Sequence, residues 1–181
     1  MKRTSKIAMP LVVFVITFTL VVGVALPLIS KALAASETVQ VRIDASQIQP
    51  RPLEQLTGQS ITKTYSNAWK NLETALAENR LSLIDESFVG YAHDKLVSQV
   101  KEQQKTGLTT LYVDHGHQVA ATFYSPEGSA VQLQDTAQLE IQLLDGGKVV
   151  SSQNVKRRYI AVVTVVEDSW KVRVLEAVPT F

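Results

Sequence analysis

The hydrophobic pattern changes its period after Gly107, and this change constrains the fold more than any other feature of the chain. Between Ala130 and Leu144 apolar and polar residues largely alternate, which places them on opposite faces of a strand. The apolar face carries Val131, Leu133, Ala137, Leu139, Ile141 and Leu143. A strand with one apolar and one polar face is typical of an antiparallel sheet that is covered on one side.

Turn sequences divide the region after Gly107 into four strands. The stretches 125–128, 145–148 and 167–169 contain the Gly, Pro, Asp and Ser residues that favour hairpin turns. The predicted strands are 118–124, 130–144, 149–166 and 170–178. Their succession predicts an antiparallel meander.

Before Gly107 the pattern is helical. Apolar residues in 57–79 recur at steps of three and four, which predicts one helix with a buried face. A second helical region extends over 83–106, and Gly90 divides it into two shorter helices. Two or three helices followed by four strands predict an α+β fold.

The N-terminus has the features of a membrane-targeting segment. Residues 7–29 form an uncharged run of 23 residues, preceded by Lys2, Arg3 and Lys6 and followed by Lys31. At about 1.5 Å per helical residue, such a run spans a hydrocarbon core of about 30 Å. The excess of positive charge before the run predicts that the rest of the chain lies outside the cytoplasm.

Two interpretations of this segment remain open. The length of the run favours a retained, single-pass anchor in the cell membrane with the C-terminal domain outside. Residues 32–34 read Ala-Leu-Ala, a signal-peptidase pattern, and cleavage near Ala34 would instead release a secreted protein. Residues 1–35 are therefore interpreted as a membrane anchor or a signal peptide.

The rest of the chain divides into a linker and a domain. The polar stretch 36–56, which contains two prolines, is predicted to be an extended linker, with a short strand near Ile43 as the alternative. Residues 57–181 form the predicted domain.

Charge and cysteine content exclude several classes of function. Four of the 18 basic residues and none of the 17 acidic ones lie in the first 35 residues, so the exported part is mildly acidic. A mildly acidic domain argues against nucleic acid as a partner. The chain has no cysteine, which excludes disulfides, thiolate metal sites and a cysteine nucleophile.

The order of these elements resembles the nuclear transport factor 2-like (NTF2-like) superfamily, whose cone-shaped fold is shared with SnoaL-type cyclases and ketosteroid isomerase. The resemblance covers residues 57–178 and is carried by Ala68-Trp69, Phe88–Ala92, Asp145–Gly147 and Asp168–Val174. It implies helices packed on a curved antiparallel sheet of about four long strands.

A membrane segment followed by one such domain further resembles the VirB8-like and TcpC-like accessory proteins of bacterial conjugation and secretion machines, and the Mce-associated proteins. For those families the resemblance implies an assembly role without catalysis. The sequence itself has no phosphate-loop, dinucleotide-binding or serine-hydrolase motif.

Three histidines are candidates for metal ligands, namely His93, His115 and His117. On a regular strand His115 and His117 would point to one face and share an ion with Asp85, His93 or Asp94. None of these ligands has the spacing of a metal motif, so a solvated bulge is the favoured interpretation. No metal or other cofactor is predicted.

The candidates for lining a pocket in the cone are Tyr65, Trp69, Tyr91 and Trp170. An isomerase would need a general base and an oxyanion donor that face each other, and suitable types are Tyr65, Tyr91, Asp85, Asp114 and His117. The favoured interpretation is that the aromatic residues fill the core and the acids cap helices. No catalytic residue is therefore predicted.

The sequence thus predicts a membrane-anchored, extracytoplasmic, non-catalytic interaction module of an envelope or secretion-type complex. The predicted partners are the membrane, through residues 7–29, other envelope proteins, and a second copy of the chain through the sheet. The alternative is an exported cone domain that binds or isomerises a small apolar ligand.

Overall fold

The computed structural model describes residues 41–179. The helices are α1 (Gln55–Glu78), α2 (Ser82–Ser87) and α3 (Gly90–Thr106). The strands are β1 (Ile43–Asp44), β2 (Gln49–Pro50), β3 (Leu108–Tyr124), β4 (Ala130–Asp145), β5 (Lys148–Val166) and β6 (Ser169–Val178). The three helices pack on a curved mixed sheet of six strands, which confirms the predicted α+β class.

The first helix has the single apolar face that the sequence predicted. Its buried positions follow steps of three and four from Ile61 to Leu76. The helix ends at Asn79, whose φ of 53° is left-handed and whose N–H donates to the Ala75 carbonyl. Asn79 is thus the predicted stop.

Gly90 begins a new helix, as predicted. The chain is extended at Phe88 and Val89, and the Val89 N–H donates to the Val172 carbonyl at 3.0 Å. Gly90 then takes a positive φ of 54°, which an L-residue adopts only with strain, and α3 begins. This tie to β6 positions α2 and α3 against the sheet.

The long strands form an antiparallel meander in the order β3-β4-β5-β6, which confirms the predicted hairpins. The short strands β1 and β2 pair parallel to the outer edge of β3, so the sheet is mixed and has two short strands beyond the four long antiparallel ones that were predicted. The predicted start of β3 at Gln118 is also wrong, because the strand begins at Leu108. A bulge between Asp114 and Gly116 interrupts the alternation there and gave the sequence the appearance of a loop.

The described part of the predicted linker lies against the sheet. Side chains of Val41, Ile43 and Leu53 pack on the hydrophobic core. The Arg51 guanidinium lies 4.8 Å from the centre of the Tyr124 ring, within the range of a cation–π contact. The short strand near Ile43 is therefore present, and a free linker does not describe residues 41–54.

The predicted anchor or signal peptide, residues 1–35, lies outside the described residues, together with residues 36–40. Within residues 41–179, no helix combines the length and the apolar character needed to cross a membrane. The interpretation of the first 40 residues stays a prediction.

A hydrophobic core fills the space between the helices and the inner face of the sheet. Its largest buried side chains include Trp69 and Tyr65 from α1, Phe88 from the α2–α3 junction, and Leu133 and Leu139 from β4. Burial of a large apolar side chain contributes about 1.5–3 kcal/mol. The contact between α1 and the strands therefore stabilises the fold, and it also surrounds the candidate site.

Candidate functional site

One face of α1 brings polar groups into the core. Tyr65, Trp69 and Glu73 are spaced four residues apart, so they lie one above the other on the same side of the helix. Tyr65 and Trp69 are almost completely buried, and Glu73 is half-buried. The apolar period of α1 therefore includes a hydroxyl, an indole N–H and a carboxyl group.

The sheet contributes an aspartate and a histidine to the same place. Asp135 occupies the inner face of β4 between the buried residues Leu133 and Ala137, and it is itself 1% exposed. On β3, His117 pairs with Ala137, and its side chain is fully buried. The antiparallel register of β3 and β4 thus places the imidazole beside the carboxylate.

Tyr65, His117 and Asp135 form a buried hydrogen-bonded triad. The Tyr65 hydroxyl donates to Asp135 Oδ2 at 2.8 Å, and His117 Nδ1 lies 2.7 Å from the same oxygen. A carboxylate accepts hydrogen bonds and donates none, so we assign a proton to His117 Nδ1. Hydrogen bonds to a charged acceptor contribute about 1.5–3 kcal/mol, and this triad joins α1 to two strands.

Trp69 closes the triad from the helix side. Its ring centre lies 4.7 Å from that of His117, and it makes edge-to-face contacts with Tyr65 at 6.4 Å and with Tyr159 at 5.2 Å. Trp69 therefore covers the imidazole and both tyrosine rings on the helix side.

Burial shifts the protonation of the tyrosines. Burial and the nearby Asp135 carboxylate raise the pKa of Tyr65 well above its usual value of 10.0. The Trp69 N–H acts against this rise in pKa, although it forms no well-aligned hydrogen bond with the hydroxyl. Burial also raises the pKa of Tyr159 to about 12. Both phenols are therefore hydrogen-bond donors at neutral pH.

Glu73 is a titratable group of this region whose pKa is shifted into the physiological range. Burial raises its pKa to about 7, the Asp114 carboxylate adds to the rise, and His117 opposes it. The pKa of a carboxyl group rises when its charged form is desolvated or faces another negative charge. Glu73 thus exists in both protonation states near neutral pH.

Four buried polar atoms around the triad have no hydrogen-bond partner among residues 41–179. They are Trp69 Nε1, Glu73 Oε1, His117 Nε2 and Asp135 Oδ1. His117 Nε2 has the Asp114 carboxylate as its neighbour at 3.5 Å, which is too long for a strong hydrogen bond. The cluster therefore has unused capacity to bind a polar group.

The triad has groups that general acid–base catalysis uses, but its side chains are closed off. An imidazole, a carboxylate and a phenol are groups that can move protons. The side chains of His117 and Asp135 are 0% exposed, and Tyr65 is 0% exposed as well. Side chains around them would have to move before a substrate could reach them.

Two grooves of the described surface lie elsewhere. One of about 710 Å³ runs between Ile43 and Thr136, and one of about 510 Å³ runs between Val41 and Lys63. His117 borders the larger groove, but only through its backbone, because its side chain is buried. Neither groove opens onto the triad.

The three candidate metal ligands are separated by the fold. His93 lies on α3, with Asp85 Oδ1 at 2.8 Å from Nε2 and Asp94 Oδ1 at 3.0 Å from Nδ1. His115 is exposed and His117 is buried, so the prediction that they share a face is wrong. The bulge between Asp114 and Gly116 shifts the alternation at this point. Within residues 41–179, no group of three or more His, Asp or Glu side chains has the geometry to hold a metal ion.

The four candidate pocket residues are also divided. Tyr65 and Trp69 lie together in the core, and Trp170 is half-buried and packs on the edge of that core. Tyr91 is 57% exposed at the start of α3, with the Lys95 ammonium 5.9 Å from its ring centre. The structure therefore brings two of the four into the interior of the cone.

Asp135 is the residue that the sequence analysis missed. It stands in the apolar face of the alternating stretch, in phase with Val131, Leu133, Ala137 and Leu139. A charged residue in a buried phase is rare unless it is paired. Its position in the alternating pattern therefore indicated a buried aspartate, and a buried aspartate needs a hydrogen-bond donor such as Tyr65 on the helix that covers the strand.

No protein-family model matches this sequence, and no curated protein matches it. The crystal structure of the intermembrane space region of chloroplast protein ARC6 has a TM-score of 0.59 and 15% identity, covering 67% of this chain and 96% of that chain. The structure of Kfla4162 protein from Kribbella flavida has a TM-score of 0.48 and 9% identity, covering 68% of this chain and 92% of that one. Aln2 from a Streptomyces species has a TM-score of 0.44 and 10% identity, again covering 68% and 92%. The likeness to the ARC6 region shows that the two domains share a fold, with helices packed on a curved sheet.

Proposed function

We propose that this protein is a membrane-anchored, extracytoplasmic interaction module that assembles with other envelope proteins and catalyses no reaction. The uncharged run 7–29 acts as the anchor, and the preceding positive charges keep the N-terminus inside. The cone domain then stands on the outer side, where its surface contacts partners.

The observation that carries this proposal is the closed interior of the cone. Trp69 packs on the His117 ring at 4.7 Å, and the triad behind it is buried. Ligand sites are normally open, largely preformed clefts, which this interior is not. A domain whose interior is filled can still act through its surface.

The ARC6 likeness is compatible with this role. The matching part of ARC6 is the intermembrane space region of that chloroplast protein. A cone domain of this size thus occurs in an envelope compartment in at least one other protein. At 15% identity this likeness supports the fold of the domain, and its partners have to be identified by experiment.

The test uses the full chain in its own host. We expect the intact mass to retain residues 1–35, the protein to be found in the membrane fraction, and an amine-reactive crosslinker to join it to defined envelope proteins. The matched control replaces residues 1–35 with a cleavable signal peptide, and this should abolish those crosslinks. A native mass that begins near Ala35 together with a soluble protein would overturn the proposal.

A second candidate function is favoured by one observation, the convergence of Tyr65, His117 and Asp135. In this alternative the exported cone binds or isomerises a small apolar ligand after Trp69 swings aside. The probe is 1-anilinonaphthalene-8-sulfonate, an anionic dye with an apolar aromatic body, titrated into the full chain. Saturable binding that quenches the fluorescence of Trp69 and is weakened by Tyr65→Phe would support this candidate. A closed interior predicts no saturable binding.

A further inference from the structure

One edge of the sheet has a long stretch with a strand on one side only. β5 pairs with β4 from Lys148 to Thr164, with a bulge at Val150, whereas β6 pairs only with Arg158–Val166. Within residues 41–179, the backbone of 148–157 therefore has no strand partner on its second side. An unpaired row of N–H and C=O groups can bind another extended segment.

This stretch is accessible to a partner. All residues in 148–154 are exposed, and the apolar side chains of Val149 and Val150 are 46% and 54% exposed. The opposite edge of the sheet differs, because the stretch 108–114 of β3 is half-buried. The β5 stretch is therefore the better of the two edges for docking.

The free edge is basic. It carries Lys148, Lys156 and Arg157, with Arg158 directly after it, and β5 contains no acidic residue. None of these four takes part in the salt bridges formed within residues 41–179. The carboxylate of Glu140 on the neighbouring strand is occupied by Gln142 and Ser152. The positive charges at Lys156 and Arg158 are thus available to a partner.

The same charges argue against a second copy of the chain as the partner. Two β5 edges paired antiparallel about the middle of the stretch would bring Lys156 and Arg157 of one copy close to Lys148 of the other. Like charges opposite each other destabilise a strand pair. An acidic segment in the same position would neutralise them.

We propose that residues 148–157 of β5 bind an extended, acidic segment of a partner protein as an added strand of the sheet. This inference rests on the proposed function and names the surface and the chemistry of the partner. The backbone of the edge supplies the hydrogen bonds, Val149 and Val150 contact apolar side chains, and Lys156 and Arg158 select acidic ones.

The probe is a capped nine-residue peptide of alternating valine and glutamate with a fluorophore, titrated into the full chain in a nonionic detergent. A peptide of alternating valine and lysine is the matched control. We expect the acidic peptide to bind at least tenfold more tightly than the basic one, and its binding to weaken as salt is added. Equal binding of both peptides, or of neither, would overturn the proposal.

A charge reversal locates the site. Lys156→Glu with Arg158→Glu should weaken the acidic peptide at least tenfold and improve the basic one. The control pair Lys70→Glu with Lys101→Glu changes exposed helix residues by the same charge and should leave the binding unchanged. Equal loss in both pairs would show that only the net charge acts, which contradicts an edge site.

Hydrogen exchange can locate the binding site on the wild-type protein, without any substitution. Saturating acidic peptide should slow the exchange of backbone amides within 148–157, and an N-methylated peptide that cannot donate on one edge should not. Protection confined to the helices would overturn the edge site. If the crosslinks to envelope proteins persist while the peptide fails to bind, only the edge site is contradicted. If the crosslinks are absent, the proposed function itself is contradicted.

Discussion

The two ends of the long β4–β5 hairpin have the same strand pattern and opposite environments. At the end under the helices, Leu133, Asp135 and Leu139 are buried, as is Tyr159 on the paired strand. At the turn end, β4 residues 140–144 are half-buried and β5 residues 148–154 are exposed. Alternation therefore specifies a strand, and the position of the helices determines which half of that strand is covered.

The covered end of the hairpin contributes to stability, whereas the turn end is available for recognition. The covered end contains the aromatic core and the Tyr65–His117–Asp135 triad, whereas the turn end exposes apolar and basic groups. Substitutions at the covered end should therefore lower the free energy of unfolding, and those at the turn end should change binding with little effect on folding.

Trp69→Ala should be the most destabilising change. It leaves a cavity against His117 and Tyr159, and large aromatic-to-alanine changes in a core cost about 3–5 kcal/mol. Urea denaturation of the full chain in detergent measures the free energy of unfolding. Val150→Ala at the turn end is the control and should cost less than about 1 kcal/mol, since the side chain is 54% exposed. Similar losses for both variants would contradict the division between a covered and an exposed end of the hairpin.

Asp135→Asn should destabilise the chain by about 1.5–3 kcal/mol. The amide has no charge to offer the Tyr65 hydroxyl and His117 Nδ1, and both donors stay buried. Asp145→Asn at the exposed hairpin turn is the matched control and should be nearly neutral. The same denaturation experiment compares the two, and an Asp135→Asn variant as stable as the control would mean that the triad does not stabilise the fold.

The sequence predicted the long elements and missed the details that depend on neighbouring strands. Helical and alternating periods identified α1 and the β4–β5 hairpin because each is a local pattern that one buried face imposes. The start of β3 was missed because a bulge at His115 breaks the alternation. Asp135 was missed because its partner Tyr65 lies 70 residues away, and only the folded chain brings the two together.

Glu73→Gln should flatten the dependence of stability on pH. The folded-state pKa is about 7 against 4.5 for the ordinary carboxyl group, so the folded chain binds the extra proton between these values. The stability that Glu73 contributes is fully present below pH 4.5 and is lost as the pH rises to 7. A full proton difference would lower the free energy of unfolding by about 1.4 kcal/mol per pH unit, and the loss here should be a fraction of that because Glu73 is only half-buried. Glutamine stays neutral, so the variant should gain on the wild type as the pH rises.

Unfolding of both chains at pH 5 and pH 8 measures this difference. Glu102→Gln, an exposed change on α3, is the control and should show no such gain. Parallel pH profiles for wild type and Glu73→Gln would contradict a buried, proton-binding Glu73.

His93→Gln should have the smallest effect, a slight loss of stability at acidic pH. Hydrogen bonds to Asp94 and then to Asp85 raise the pKa of His93 above 6.5, so the protonated ring stabilises the folded chain. That contribution is fully present below pH 6.5 and is lost as the pH rises through the raised pKa. Because the ring is near the surface, His93→Gln should cost at most about 0.5 kcal/mol at pH 5.5 and nothing at pH 9, measured by urea denaturation. A cost at pH 9 as large as that at pH 5.5 would mean that His93 acts through packing, and the surface of α3 would then belong with the covered end of the sheet.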